Sequence, residues 1–454
     1  RKALALATGL RIVPCLGIDS EIEIALARYS APDSQEEEGA DEEDLLGGQA
    51  GSEFVEHLKD LASEAPVIRL VNQIVSRVID LRASDIHIEP YEDALHVRYR
   101  VDGVLIQAET HPPALAPAVT SRIKLLAHLN IAERRLPQDG RIKTRVKGHE
   151  LDLRVSTLPI VHGESVVMRV LDRASIRLSL EDMGFSGDTL EKYKELIDRP
   201  HGILLVTGPT GSGKTTTLYA SLAKLDAEAL KILTVEDPVE YQLERINQVH
   251  VQSQIGLTFA HALRSILRQD PDIIMIGEMR DTETAQIAVQ SALTGHLVLS
   301  TLHTNTAVGA IVRLEDMGVE RYLITSTVNG VLSQRLIRKL CSHCKREVEV
   351  PDDVLKKSGL IRFVSSPSKA MYSAVGCSFC KNSGYLGRTS IHELFVIDDA
   401  AHQAILSGAD ATTLHNVARS NGMLTLYEDG LRKVAAGITS LEELLRVTQD
   451  QANG

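Results

Sequence analysis

Gly202-Ile203-Leu204-Leu205-Val206-Thr207-Gly208-Pro209-Thr210-Gly211-Ser212-Gly213-Lys214-Thr215-Thr216 is the stretch from which the rest of the chain can be read. Residues 202–206 form a short, solidly apolar run, as strands buried on both faces of a parallel sheet do. Residues 208–215 then match G-x-x-x-x-G-K-[ST] in full, and a helical pattern follows over 216–225. Small residues let the loop backbone fold into a cradle whose amides face phosphate oxygens, and the helix N-terminus adds partial positive charge. Lys214 is placed to reach the β and γ phosphates of ATP, and Thr215 to hold Mg²⁺. A glycine-rich turn arising by chance seldom carries the whole pattern between a buried strand and a helix.

Three more apolar runs, 231–235, 273–276 and 297–300, alternate with helical patterns, so from about residue 183 onward the chain reads as α/β. Each run carries polar groups at its ends. The second strand leads into Glu236-Asp237-Pro238-Val239-Glu240, which brings carboxylates towards the edge of the sheet. The third ends in Gly277-Glu278, where a carboxylate can stand beside Mg²⁺ and the attacking water, making Glu278 the candidate general base. The usual apolar run ends in Asp, so direct metal ligation from this strand is not expected. His296 and His303 flank the fourth run, and we expect the pair to sense the γ phosphate, although a lone histidine is more often structural.

Upstream the period changes. Pro66 opens a helix with Val67, Ile68, Val71, Ile74, Val75, Val78 and Ile79 on one face, and 84–89 and 95–101 alternate up to a turn at Asp102-Gly103. Further alternation at 150–156 and 165–171 predicts an antiparallel sheet, giving an α+β domain over 53–176 and the α/β domain over 183–454. Residues 30–52 contain no Lys or Arg and read as a flexible acidic linker; residues 1–29 read as the last piece of a small domain.

Four of the five cysteines form Cys341-Ser342-His343-Cys344 and Cys377-Ser378-Phe379-Cys380, two C-x-x-C pairs 32 residues apart. In a reducing compartment such knuckles predict tetrahedral Zn²⁺ with no open position, hence a structural module over 341–384. A redox pair or a site empty of metal is the alternative. Cys15 stands alone and reads as a small apolar residue.

The net charge of −12 falls to about −4 once the eight acids between Asp33 and Asp44 are set aside. That balance, with 4% aromatic content and so few stacking platforms, argues against a nucleic-acid motor. No apolar stretch approaches the length of a membrane-spanning helix. The chain opens Arg1-Lys2 with neither Met nor an apolar leader, so a fragment of a cytoplasmic protein is expected.

The order of these motifs resembles the secretion superfamily of traffic ATPases. Residues 208–215 are similar to its phosphate loop, 232–240 to its Asp box, 272–281 to its Walker B segment and 295–305 to its His box. Ala83-Ser84-Asp85-Ile86-His87-Ile88-Glu89-Pro90 and Leu136-Pro137-Gln138-Asp139-Gly140-Arg141 look like its N-terminal signatures. The likeness runs from about residue 55 to the C-terminus. The tetra-cysteine insertion resembles the type II secretion and pilus-extension branches, not the retraction motors. Residues 302–310 and the tail Glu428-Asp429-Gly430-Leu431-Arg432-Lys433 resemble the secretion branch more closely.

This resemblance implies a RecA-like domain preceded by a PAS-like one, and a ring hexamer whose active site lies between the two large domains and a neighbouring subunit. It implies that arginines of the N-terminal domain approach the phosphates, with Arg141, Arg154 and Arg169 as candidates and Arg264 and Arg268 as weaker ones. It further implies inner-membrane partners of L type and platform F type, membrane contact only through them, and a peripheral position on the cytoplasmic face. A pilus-extension motor, a DNA-stimulated motor and a scaffold that binds ATP without turning it over are the competing readings.

Overall fold

The computed structural model describes residues 58–172, 179–363 and 370–448, so the readings of 1–29, 30–52 and Cys15 fall outside it. Helix α1 (Ala65–Leu81) has proline in its first turn and buries Val67, Val71, Ile74, Val75 and Val78, the face given by the sequence period. It packs on a six-stranded antiparallel sheet of β1 (Ala83–Pro90), β2 (Leu95–Val101), β3 (Val104–His111), β4 (Gln138–Val146), β5 (His149–Ile160) and β6 (Gly163–Asp172), in the order β3-β2-β1-β6-β5-β4. Helix α2 (Ala116–Leu126) shares the same core. Asp102 and Gly103 take φ of 49° and 85°, the paired left-handed residues of a tight hairpin turn. Tyr99 is fully buried and donates its hydroxyl proton to the Ile74 carbonyl at 3.0 Å, pinning sheet to helix.

The second sheet follows α3 (Gly187–Ile197). Its elements run β7 (Gly202–Thr207), α4 (Lys214–Lys224), β8 (Ile232–Glu236), β9 (Asn247–His250), α5 (Phe259–Ile266), β10 (Ile273–Ile276), α6 (Thr282–Leu293), β11 (Leu297–Leu302), α7 (Ala307–Asp316), α8 (Arg321–Thr327) and β12 (Val328–Leu340). Then come β13 (Arg346–Glu349), α9 (Asp352–Lys357), β14 (Ala370–Ser373), β15 (Tyr385–Val396), α10 (Asp399–Leu406), α11 (Ala411–Ser420), α12 (Leu426–Ala435) and α13 (Leu441–Thr448). The order β15-β12-β7-β11-β10-β8-β9 is parallel throughout except for β15, which runs antiparallel to β12.

Both faces of this sheet are covered. Ile203, Leu205, Ile274, Ile276 and Val298 point into one apolar cluster, and Leu204, Val206, Ile273, Met275 and Leu299 into the other. Two-sided burial is why these strands are unbroken apolar runs in sequence. The pairings Leu302↔Thr207, Ile276↔Ser300 and Ile276↔Val235 fix the register, so all four strands end on the same edge. The loops that leave this edge carry residues 208–213, 237–240, 277–280 and 303–306.

Candidate nucleotide site

The loop after β7 is shaped by glycine. Gly208 takes φ 144°, and a Cβ there would lie 2.4 Å from the Gln334 carbonyl oxygen and 2.7 Å from Ser212 Oγ. Gly213, at φ 89°, caps α4, so the helix begins at Lys214, two residues before the sequence period suggests. Pro209, Thr210 and Gly211 are exposed, and Thr215 and Thr216 half-buried. Ser212 is buried, and its Oγ has no hydrogen-bond partner. An orphaned hydroxyl beside a row of amides suits an anionic oxygen. Lys214 Nζ donates to the carbonyls of Gly208 at 2.8 Å and Pro209 at 3.1 Å. Burial lowers its pKa to about 8, with Glu278 pulling the other way.

Glu278, Lys214 and His303 are brought together at this edge. Glu278 is mostly shielded, pairs through one oxygen with Arg280, and has the other 3.5 Å from His303 Nε2. The His303 loop is held from below: Thr304 donates its amide to Thr207 Oγ1 at 2.8 Å, and Thr301 Oγ1 donates to the Gly277 carbonyl at 2.7 Å.

The two histidines do not share a strand end. His296 precedes β11 and its carbonyl accepts the amide of Gly202, the first residue of β7, while its ring lies 2.8 Å from the Ser291 carbonyl. The intervening six-residue strand separates it from His303 by roughly 20 Å at about 3.3 Å per residue. Within one chain His296 caps the far edge. Glu236 is also occupied: it is 2% exposed and accepts from Tyr219 Oη, from Thr234 Oγ1 at 2.5 Å and from Gln248 Nε2 at 3.1 Å. It braces the edge from inside.

The three arginines stand side by side. Arg141 on β4 pairs with Arg154 on β5, which pairs with Arg169 on β6, making a cross-strand row of like charge. Such a row is unfavourable without compensation. Asp152 binds the Arg141 guanidinium, and Asp85 lies 3.2 Å from Arg169 Nε. Arg154 contacts Val239 O at 3.4 Å, and its charge faces Glu240 of the same chain. Burial lowers the Arg154 pKa, and burial raises that of Glu240 against the pull of Arg154. The three arginines, Val239 and Glu240 line a cavity of about 990 Å³ between the two sheets, whose wall includes Gln248 and His250 but no residue of 208–216. Arg264 is paired with Glu283, and Arg268 donates to the Arg264 carbonyl at 2.6 Å.

Near the C-terminus, Cys341, Cys344, Cys377 and Cys380 converge, with all four sulfurs within 4.8 Å of one another. Cys341 and Cys377 Sγ are 4.0 Å apart, and Cys344 and Cys380 Sγ 3.7 Å. Thiolates about 2.3 Å from a tetrahedral ion lie about 3.8 Å apart, so the set fits Zn²⁺. The amides of Cys377 and Gly384 both point at Cys380 Sγ from 3.2 Å, as donors that favour thiolate.

A family model described as "Type II/IV secretion system protein" matches residues 60–446. The chain belongs to that family. It is 54% identical over 449 residues to the type II secretion system protein E of Xanthomonas campestris pv. campestris, covering 99% of this chain and 79% of that one. It is 49% identical over 415 residues to the type II secretion system ATPase E of Vibrio cholerae, covering 91% and 82%. Among solved structures, the pilus retraction motor PilT with bound ADP superposes with a TM-score of 0.56 at 26% identity, covering 84% of this chain and 98% of that one. The chain is thus an α/β secretion ATPase.

One residue of this ATPase escaped the sequence reading. Gln334, fully buried on β12, accepts from Thr217 Oγ1 at 2.7 Å and donates to the Ser212 carbonyl at 2.7 Å, clamping loop to helix. A polar residue inside the apolar pattern of 328–340 was its only signal.

Since Lys214 loses its proton as pH rises through about 8, and bound polyphosphate restores it, nucleotide binding at pH around 9 should take up close to one proton. Calorimetry in buffers of different ionisation enthalpy measures this, and Lys214→Met should abolish it. Binding without proton uptake would contradict the assignment.

Proposed function

We propose that this chain hydrolyses Mg²⁺-ATP as the cytoplasmic motor of a type II secretion system, working as a homohexamer peripheral to the inner membrane. The convergence of Lys214, Glu278 and His303 on one sheet edge carries the reading. Among the described residues no helix is long and apolar enough to cross a membrane, consistent with docking through L-type and F-type partners. In the hydrolytic step, Glu278 accepts a proton from the attacking water as the bond from the γ phosphorus to the β–γ bridging oxygen breaks and ADP leaves. Lys214 follows the transferring phosphoryl group, and Thr215 would hold Mg²⁺, which when bound neutralises phosphate charge. His303 orients Glu278. We read residues 53–176 as a PAS-like domain, because the antiparallel order places its first strand beside its last, and 183–454 as the RecA-like domain with its 341–384 zinc module.

We further assign the arginine row to the site of its own subunit, since Arg154 already faces Val239 and Glu240 of the same chain. Closure of the two sheets across the cavity would bring the row towards the phosphates. The test mixes Glu278→Gln and Arg154→Ala under conditions of subunit exchange, with the unsubstituted chain as the positive control for Mg²⁺-dependent turnover. An arginine acting in its own subunit leaves every mixed site defective, so activity should not exceed that of the components. Recovery of activity would place Arg154 in the neighbour's site.

The cysteine set predicts one Zn²⁺ per chain, whose removal loosens residues 341–384 while nucleotide binding survives. Metal analysis of protein prepared without chelator checks this. Less than about half an equivalent would refute it.

A further inference from the structure

Glu393 lies in the middle of β15, opposite Ser333 of β12, and is 1% exposed. One of its oxygens accepts the amide of Ala307 at 2.8 Å, and the carboxyl group also faces the amide of Leu426 and the Arg335 guanidinium, which favour its charged form. Ala307 and Leu426 are the first residues of α7 and α12. Such first-turn amides have no partner inside their own helix. The N-cap threonines, Thr306 and Thr425, already serve the amides of Gly309 and Glu428. Glu393 therefore takes the Ala307 donor that the cap leaves over and faces that of Leu426, and two helix N-termini supply the positive field that makes burial of a carboxylate tolerable.

What the two helices carry gives this junction its meaning. Helix α7 continues directly from His303-Thr304-Asn305-Thr306, the loop whose histidine meets Glu278. Ser333, beside Glu393, donates to the Asn305 carbonyl at 3.4 Å. Helix α12 begins the C-terminal tail. Its Glu428 binds Arg362 and Arg419, and its Asp429 accepts the His392 amide at 3.0 Å and Lys433 Nζ at 2.6 Å.

We propose that Glu393 is a positioning residue for hydrolysis: by holding the first amide of α7 while facing the first amide of α12, its carboxylate fixes the His303 loop against Glu278 and makes that placement depend on the seating of the C-terminal helix. The proposal rests on the hydrolytic reading above. Glu393→Gln preserves volume but turns an NH₂ group towards one of the two amides, so one helix start loses its acceptor.

In the full chain, Glu393→Gln should lower kcat by roughly tenfold or more while changing ATP affinity by less than about threefold, a split that a merely structural defect would not produce. In a His303→Ala background the same substitution should have no further effect on kcat. An unchanged kcat, or an equal fall in both backgrounds, overturns the proposal. If Glu393→Gln does not yield folded protein, hydrogen exchange on the unsubstituted chain decides. The Ala307 and Leu426 amides should exchange slowly, and a non-hydrolysable ATP analogue should slow both together. Free exchange at either, or a Leu426 amide indifferent to nucleotide, overturns it. If the unsubstituted chain hydrolyses no ATP, the functional reading fails, and the exchange experiment still reports on the junction.

Discussion

The hydroxyl of Thr207 is the point on which the site depends. It is fully buried at the end of β7, one residue before Gly208, and both receives the Thr304 amide and sits 2.7 Å from Thr304 Oγ1. One side chain thus joins the phosphate loop to the loop that carries His303. From β12, Gln334 ties the phosphate loop to the helix that follows it, reaching both Ser212 and Thr217. Because neighbouring parallel strands end in register, these short bonds suffice to hold Lys214, Glu278 and His303 within one small region. A parallel sheet with both faces buried is rigid enough to keep them there, since any shift of one strand would disturb two apolar clusters at once.

Charge is arranged on the same principle of fixed position. Lys214 is a buried cation whose own loop carbonyls satisfy it, and Glu278 is shared between Arg280 and His303. The row Arg141, Arg154, Arg169 concentrates positive charge on one face of the N-terminal sheet, balanced by Asp152, Asp85 and Glu240.

Much of this was legible in the sequence where burial leaves a period. The four central strands and α1 are read from apolar runs and spacing, and the phosphate loop from a pattern whose glycines are each required by backbone geometry. Strand β4 has no apolar alternation to mark it, because Gln138, Gly140 and Thr144 fill three of its five inward positions and only Ile142 is fully buried. Strand β12 and its partner β15 escape for the opposite reason: their central residues are buried on both faces, Ser333, Gln334, His392 and Glu393 among them, and polar residues break the apolar run. The separation of His296 from His303 has a simple cause. Flanking a strand in sequence puts two residues at opposite ends of it in space. Glu236 likewise occupies the expected strand end, but neighbours that no local pattern reveals take up its oxygens.

The central claim is that binding and bond cleavage are carried by different residues of one sheet edge, Lys214 for the first and Glu278 for the second. Single-turnover measurements on Glu278→Gln with Mg²⁺-ATP test it most directly. The account predicts binding within about threefold of the unsubstituted chain and a cleavage rate lower by roughly a hundredfold or more. Cleavage near the parent rate, or loss of binding together with cleavage, would contradict it.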